Sequence, residues 1–197
     1  MVMDAVIQPD NENCEDALLV SKVQRGDKDA FRLLANRYGM RYRALAFRFL
    51  GDMAKSEDVV QEAFVKFWTH SHTFDPARAK FTTWFHRVVV NRCLDEKRKK
   101  QFQALPEGFE QEDGAVRADK KLEGDAAGAQ LQIAMAGLSE RQQTAVTLSY
   151  FDGLSNMEAA NVMELNIKAY ESLLVRARSN MRKALQADQG DLLAAFV

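Results

Sequence analysis

Apolar residues recur along this chain at the spacing of helices. Val59, Val60, Ala63, Phe64, Phe67 and Trp68 fall at i, i+1, i+4, i+5, i+8 and i+9, a broad stripe down one side of a single helix. Phe81, Trp84, Phe85 and Val88 repeat at i, i+3, i+4 and i+7, which sets Phe81, Phe85 and Val88 against the Phe64/Trp68 stripe with Trp84 beside them. No run of alternating β-branched residues bounded by hairpin turns interrupts the pattern. It predicts helices at about 15–25, 28–50, 55–70 and 80–100, broken at Gly26, at Gly51 and around Pro76.

The periodicity fails between residues 101 and 128. That stretch holds Pro106, four glycines and seven acids against three bases, a composition that buries little and reads as a flexible linker. Helical order resumes at Ala129, with helices expected at about 130–137, 140–151, 156–163 and 167–186, Gly153 ending the second. Ser139-Glu-Arg-Gln142 and Ser155-Asn-Met-Glu158 are capping-box patterns. In each, the Ser oxygen accepts a backbone N–H three residues on, and the fourth side chain returns to the Ser N–H. A short helix, a turn at Glu164-Leu165-Asn166 and a longer helix have helix-turn-helix spacing. The expected fold is all-α: two small helical domains, 15–100 and 129–186, joined by the 101–128 linker. An acidic tail (1–14) precedes them and a tail (187–197) follows, whose apolar end, 192–197, is expected either to pack on the second domain or to serve as a short contact motif.

Hydrophobic residues make up 47% of the 197, enough for packed cores and too many for a disordered chain. Basic and acidic residues number 27 and 28, so the total charge gives no argument for a nucleic-acid binder. Its distribution does. Residues 22–55 carry nine bases and three acids, 87–100 carry six and two, and 168–183 carry five and one. Phosphate attraction acts over a Debye length of about 8–10 Å, so these local patches matter more than the sum.

The sequence contains no Gly-rich phosphate loop, nucleophile elbow or His-Glu-x-x-His pattern, so no catalytic residue and no cofactor is assigned. His70 and His72 are too few for a metal site. Cys14 and Cys93 are too few for a disulfide framework, and Cys93 falls on an apolar helix stretch as a core thiol. No apolar run approaches the ~18–20 residues that span a bilayer. Residues 1–16 carry five acids and no base, unlike a secretory signal, and the chain reads as cytoplasmic with no membrane insertion. Within 80–100, Trp84 is a candidate for stacking on unpaired bases, with core packing as the competing reading. Asn91, Arg92, Asp95 and Arg98 follow on the next turns, where Asn suits base edges and Arg suits bases or phosphates.

These residues carry a resemblance. Asp58-Val-Val-Gln-Glu-Ala-Phe-Val-Lys-Phe-Trp68 is similar to a helix of the sigma-70 family of bacterial transcription initiation factors. Phe81-Thr-Thr-Trp-Phe-His-Arg-Val-Val-Val-Asn-Arg-Cys-Leu-Asp95 follows at the family's spacing, with the basic run Lys97 to Lys100 after it. Leu138-Ser-Glu-Arg-Gln142, Tyr150-Phe-Asp-Gly-Leu-Ser155 and Arg176-Ala-Arg178 resemble the family's promoter-reading helix-turn-helix. Two domains on a short linker resemble its ECF (extracytoplasmic function) group.

The resemblance implies a sigma-2-like bundle and a sigma-4-like helix-turn-helix domain with divided labour. Asp58, Gln61, Glu62 and Lys66 would dock on the clamp helices of the largest subunit of core RNA polymerase, an acidic, amide-bearing face suiting a basic helix. Trp84, Asn91, Arg92, Asp95, Arg98, Lys99 and Lys100 would hold the melted −10 element. Asn91 and the loop at about 71–80 would receive a flipped base. Lys168, Glu171, Ser172, Val175 and Arg176 would enter the −35 major groove. Promoter DNA, core polymerase and an anti-sigma protein are the implied partners. The chain departs from the family's commoner pattern at Glu171 and Leu173, where bases are usual, and at Glu164, where Gly is usual and a positive φ is easy. Two other readings are a sigma-like decoy that sequesters an anti-sigma protein and an autonomous helix-turn-helix regulator. The first would forgo the basic residues near Arg92, and the second would not need the Asp58–Trp68 helix.

Overall fold

A computed structural model of the chain describes residues 9–76, 79–104 and 126–194, and every regular element among them is helical. The chain divides into two units, Met1–Ala104 and Leu105–Val197.

The first unit contains α1 (Pro9–Gln24), α2 (Lys28–Leu50), α3 (Met53–His70), a 3-10 turn (Ser71–Thr73) and α4 (Phe81–Ala104). Local chemistry sets the boundaries. Asp27 caps α2 by accepting from the N–H groups of Asp29 and Ala30 at 2.9 and 3.0 Å, and Asp52 caps α3 through Lys55 N–H at 3.2 Å. Gly51 closes α2 at φ 63°, a left-handed conformation that costs little without a Cβ. The first helix starts at Pro9, ahead of the expected residue 15, because proline lacks only an N–H that the first turn leaves unused.

The core sits where α2, α3 and α4 meet. Leu34, Tyr42 and Leu45 come from α2, Val59 and Phe67 from α3, and Phe81, Phe85 and Val89 from α4, all almost fully buried. Their rings interlock, Phe64 with Phe85 at 4.5 Å and Phe67 with Phe81 at 5.0 Å between centroids. Each such side chain stabilises the unit by about 1.5–3 kcal/mol. Phe81 and Phe85 pack as expected, whereas Val88 is half-exposed and Val89 and Val90 are buried in its place. The reason is that α4 packs on α2 and α3 together, so its buried face is wider and rotated from a stripe facing α3 alone. Helix α1 is held to α2 by Asp16, 3% exposed, which accepts from the Tyr38 hydroxyl and from Arg37 at 2.8 Å.

The second unit contains α5 (Ala126–Ala136), α6 (Glu140–Val146), a π-helical turn (Thr147–Phe151), α7 (Asn156–Val162) and α8 (Ile167–Ala194). Both capping boxes form, at Ser139 with Gln142 and at Ser155 with Glu158. The expected single helix over 140–151 instead widens after Val146, where Asp152 N–H reaches Thr147 O five residues back at 3.0 Å. The widening keeps Thr147 and Leu148 in the core and turns Tyr150 and Phe151 out. Glu164, in the turn between α7 and α8, takes φ 55°.

Besides the start of α1, three helix ends lie well beyond their expected positions: α4 continues to Ala104, α5 starts at Ala126 and α8 runs to Ala194. The expected linker core (105–125), the start of the acidic tail (1–8) and the last residues of the C-terminal tail (195–197) lie outside the described residues, as does the expected packing of that tail. No helix among the described residues is long and apolar enough to cross a membrane.

Candidate functional site

Three helices carry the residues singled out by sequence. On α3, Val59, Val60, Ala63, Phe64 and Phe67 are buried, and Asp58, Gln61, Glu62 and Lys66 are exposed on the opposite side. Val65 completes that exposed face and is 61% accessible. Sequence reasoning passed over it, because it falls outside the apolar stripe and yet carries no polar group to mark it as part of a binding face. Its spacing from Asp58, Gln61 and Glu62 (i+7, i+4, i+3) puts it on the polar side.

On α4, Asn91, Asp95, Arg98, Lys99 and Lys100 are exposed. Trp84, Asn91, Asp95 and Arg98 follow i, i+7, i+11 and i+14 and share one face. Trp84 is half-buried, its ring 5.8 Å from Phe67 and 5.6 Å from Phe74, so one side packs the core and the other remains accessible. The loop before α4 is anchored by Gln24, whose amide donates to Ser71 O at 2.9 Å and Phe74 O at 2.7 Å. Residues 77 and 78 of that loop lie outside the described residues.

Arg92 differs from expectation. Its Nε donates to Glu62 at 2.5 Å and a terminal nitrogen to Glu96 at 2.9 Å, so two carboxylates already neutralise it and it staples α4 to α3. The hydrogen bond from Arg92 holds the Glu62 carboxyl below its ordinary value, and Glu62 in turn raises the guanidinium. A residue expected to dock polymerase and one expected to hold DNA phosphate thus meet. Their separation of thirty positions left no local signal of it. Lys99 also pairs with Glu96, at 3.1 Å, and Arg98 lies 3.8 Å from Asp95.

On α8, Lys168, Glu171, Ser172, Val175 and Arg176 are all exposed, while Tyr170, Leu174 and Ala177 are buried on the other side. Asn166 caps the helix by accepting Ala169 N–H at 2.9 Å. Farther along α8 lies a shallow apolar cavity of about 530 Å³ that periodicity does not signal, lined by Leu131, Val146, Phe151 and Met181 and edged by Arg178 and Arg182. Arg178 lies 5.6 Å over the Tyr150 ring.

The His70 and His72 rings stack 6.4 Å apart, and no group of three His, Cys, Asp or Glu side chains among the described residues is arranged to hold a metal. Cys93 is buried, which pushes its thiol up to about 12.

Comparison with known proteins accounts for these helices. Residues 34–103 match the family model Sigma-70 region 2, and residues 129–181 match Sigma-70, region 4. The chain is 30% identical over 185 residues to the ECF RNA polymerase sigma factor SigW of Bacillus subtilis, covering 85% of this chain and 95% of SigW. It is 33% identical over 183 residues to the RNA polymerase sigma-H factor of Pseudomonas aeruginosa, covering 87% and 94% of the two chains. Among solved structures it is similar to CnrH in complex with the cytosolic domain of CnrY, with a TM-score of 0.64, 25% identity and coverage of 88% of this chain and 99% of that one. The chain therefore belongs to the ECF RNA polymerase sigma factors of the sigma-70 family, which are transcription initiation factors and not enzymes.

Proposed function

We propose that the exposed α3 face, Asp58, Gln61, Glu62, Val65 and Lys66, docks on the clamp helices of the largest subunit of core RNA polymerase, and that the chain works in the cytoplasm. Helix α4 then holds the melted −10 element. Asn91 and the anchored loop before α4 take the extruded base, Trp84 stacks with its accessible side, and Arg98, Lys99 and Lys100 hold backbone phosphates beside Asp95. Arg92 serves this surface as the staple between α3 and α4. Helix α8 enters the −35 major groove with Lys168, Glu171, Ser172, Val175 and Arg176 toward the bases, Glu171 accepting from a cytosine amino group.

The observation that supports this reading best is the division of each helix into a buried face that fills the apolar core and an exposed face that the core does not use. An anti-sigma protein that covers these faces is the proposed control, by similarity to CnrH, whose structure was solved with the cytosolic domain of CnrY.

Run-off transcription with core polymerase on a promoter library tests the proposal. The expected outcome is selection of one −10 and one −35 element. Asp58→Lys should cut transcription at least tenfold by weakening capture of core polymerase, without lowering the melting temperature. A purified chain that fails to associate with core polymerase would overturn the reading.

A further inference from the structure

The N-terminal turn of α8 carries one side chain that faces neither solvent nor a purely apolar core. Tyr170 is fully buried, and its hydroxyl donates to the backbone carbonyl of Ala145 at 3.0 Å. Its hydroxyl oxygen also lies 2.6 Å from the Ser149 hydroxyl. Since the tyrosine proton is committed to Ala145, Ser149 is the donor in that second bond. The order of protons is therefore Ser149 to Tyr170 to Ala145. Each bond in such a chain polarises the next.

Both partners lie where the α6 helix changes into the π-helical turn, Ala145 just before it and Ser149 within it. A π turn spreads successive carbonyls and amides away from α-helical register. The Tyr170 hydroxyl enters at that point and fixes the first turn of α8 to it. The neighbours of Tyr170 on the outer side are Lys168, Glu171 and Ser172, one and two residues away and all exposed. A hydroxyl bonded at the far end of an inward-pointing ring restrains the roll of the helix about its own axis. Roll decides where those outward side chains fall. Asn166 fixes the end of the helix through its backbone, at Ala169 N–H, and does not restrain roll in the same way.

We propose that Tyr170, with Ser149 as its donor, is a positioning residue for promoter recognition: it locks the roll of α8 against the π turn and so sets which base edges Lys168, Glu171 and Ser172 meet. This rests on the reading of α8 as the −35 helix. Tyr170 itself touches no DNA. Tyr170→Phe keeps the ring in the core and removes only the hydroxyl, and its effect on −35 choice is read separately from any loss of folded chain.

The test is transcription by the holoenzyme on promoter pairs that differ at one −35 base pair and, separately, at one −10 base pair. Wild-type chain is expected to prefer one member of each pair. Tyr170→Phe is expected to lower the −35 preference about fivefold, leaving the −10 preference and capture of core polymerase unchanged. Ser149→Ala, which spares the Tyr170–Ala145 bond, should lower the −35 preference less and in the same direction, and it carries the test should Tyr170→Phe not fold. A general loss of folded chain would lower activity on all four promoters equally, so equal losses would overturn the proposal. A wild-type −35 preference that both variants retain would overturn it alone, and a wild-type chain indifferent to the −35 sequence would overturn the reading of α8 together with it.

Discussion

Glu164 holds a left-handed backbone at φ 55° in the turn that delivers α8, and a residue with a Cβ is strained there by about 1–2 kcal/mol. Glycine would remove that strain while adding roughly 0.4–1 kcal/mol of unfolded-chain entropy. Glu164→Gly should therefore raise the stability of the second unit by about 0.5–1 kcal/mol, seen as a higher denaturant midpoint with unchanged slope. The family resemblance marks this turn as one where glycine is usual and Glu164 stands instead. Whether the backbone would change its path or keep it under strain depended on tertiary restraint, and it keeps it. The two cysteines give a second test at this scale. Burial raises the Cys93 thiol to about 12, so at pH 8 only about one part in ten thousand is the reactive thiolate, and the group is enclosed besides. Cys14 is exposed. Alkylation of the native chain at pH 8 should modify Cys14 and leave Cys93 unmodified by mass spectrometry, until denaturant opens the first unit.

Between elements, the joints that matter are polar, and they were the least legible features. Among the described residues, apolar periodicity with its caps and breakers placed the eight α-helices, although it ran the 140–151 helix straight through the π-helical turn, and it placed the face that α3 buries. It placed α4 with a small error at Val88, because a stripe read against one neighbour shifts when two are present. It could not show Asp16 with Arg37 and Tyr38, or Glu62 with Arg92, since polar pairs far apart in sequence have no period. Removing the buried carboxylate leaves the Tyr38 hydroxyl and the Arg37 guanidinium without their common acceptor, although Arg37 keeps Glu15 at 3.0 Å. Asp16→Ala should cost about 2–4 kcal/mol and make α1 the first segment cleaved in limited proteolysis. The Glu62–Arg92 staple is more exposed and weaker, and its signature is pH. The folded carboxyl titrates below the ordinary value of 4.5, so the pair stabilises fully above that value and is lost as pH falls through the folded one. Glu62→Gln should thus lower stability by less than ~1 kcal/mol at pH 7, and the difference from wild type should vanish in stronger acid.

Across the whole molecule, charge counted along the chain differs from charge in space. The segment 22–55 holds nine bases and three acids, yet Arg37 is met by Glu15 and Asp16 from α1, and Arg43 lies 3.5 Å from Glu57 on α3. Burial disfavours the Arg37 charge, and the bonds to Glu15 and Asp16 more than offset this, leaving its pKa raised and its charge neutralised by the acids. With a total of −1, the chain as a whole exerts little long-range attraction on free DNA. Tethering to a large partner replaces that missing attraction, since a linked surface meets DNA at an effective concentration near the millimolar range. The isolated chain should accordingly bind promoter DNA weakly at physiological salt, and its complex with core polymerase tightly. Salt then separates phosphate contacts from staples within that complex. Each phosphate neutralised on a single strand contributes about −0.7 to the slope of log K against log salt. Lys100→Ala, at an exposed site on α4, should flatten the slope by about that amount on a −10 single-strand probe. Arg43→Ala, whose guanidinium already faces Glu57, should leave the slope unchanged. Equal flattening by both variants would mean that long-range charge, and not contact by α4, governs capture of the melted strand.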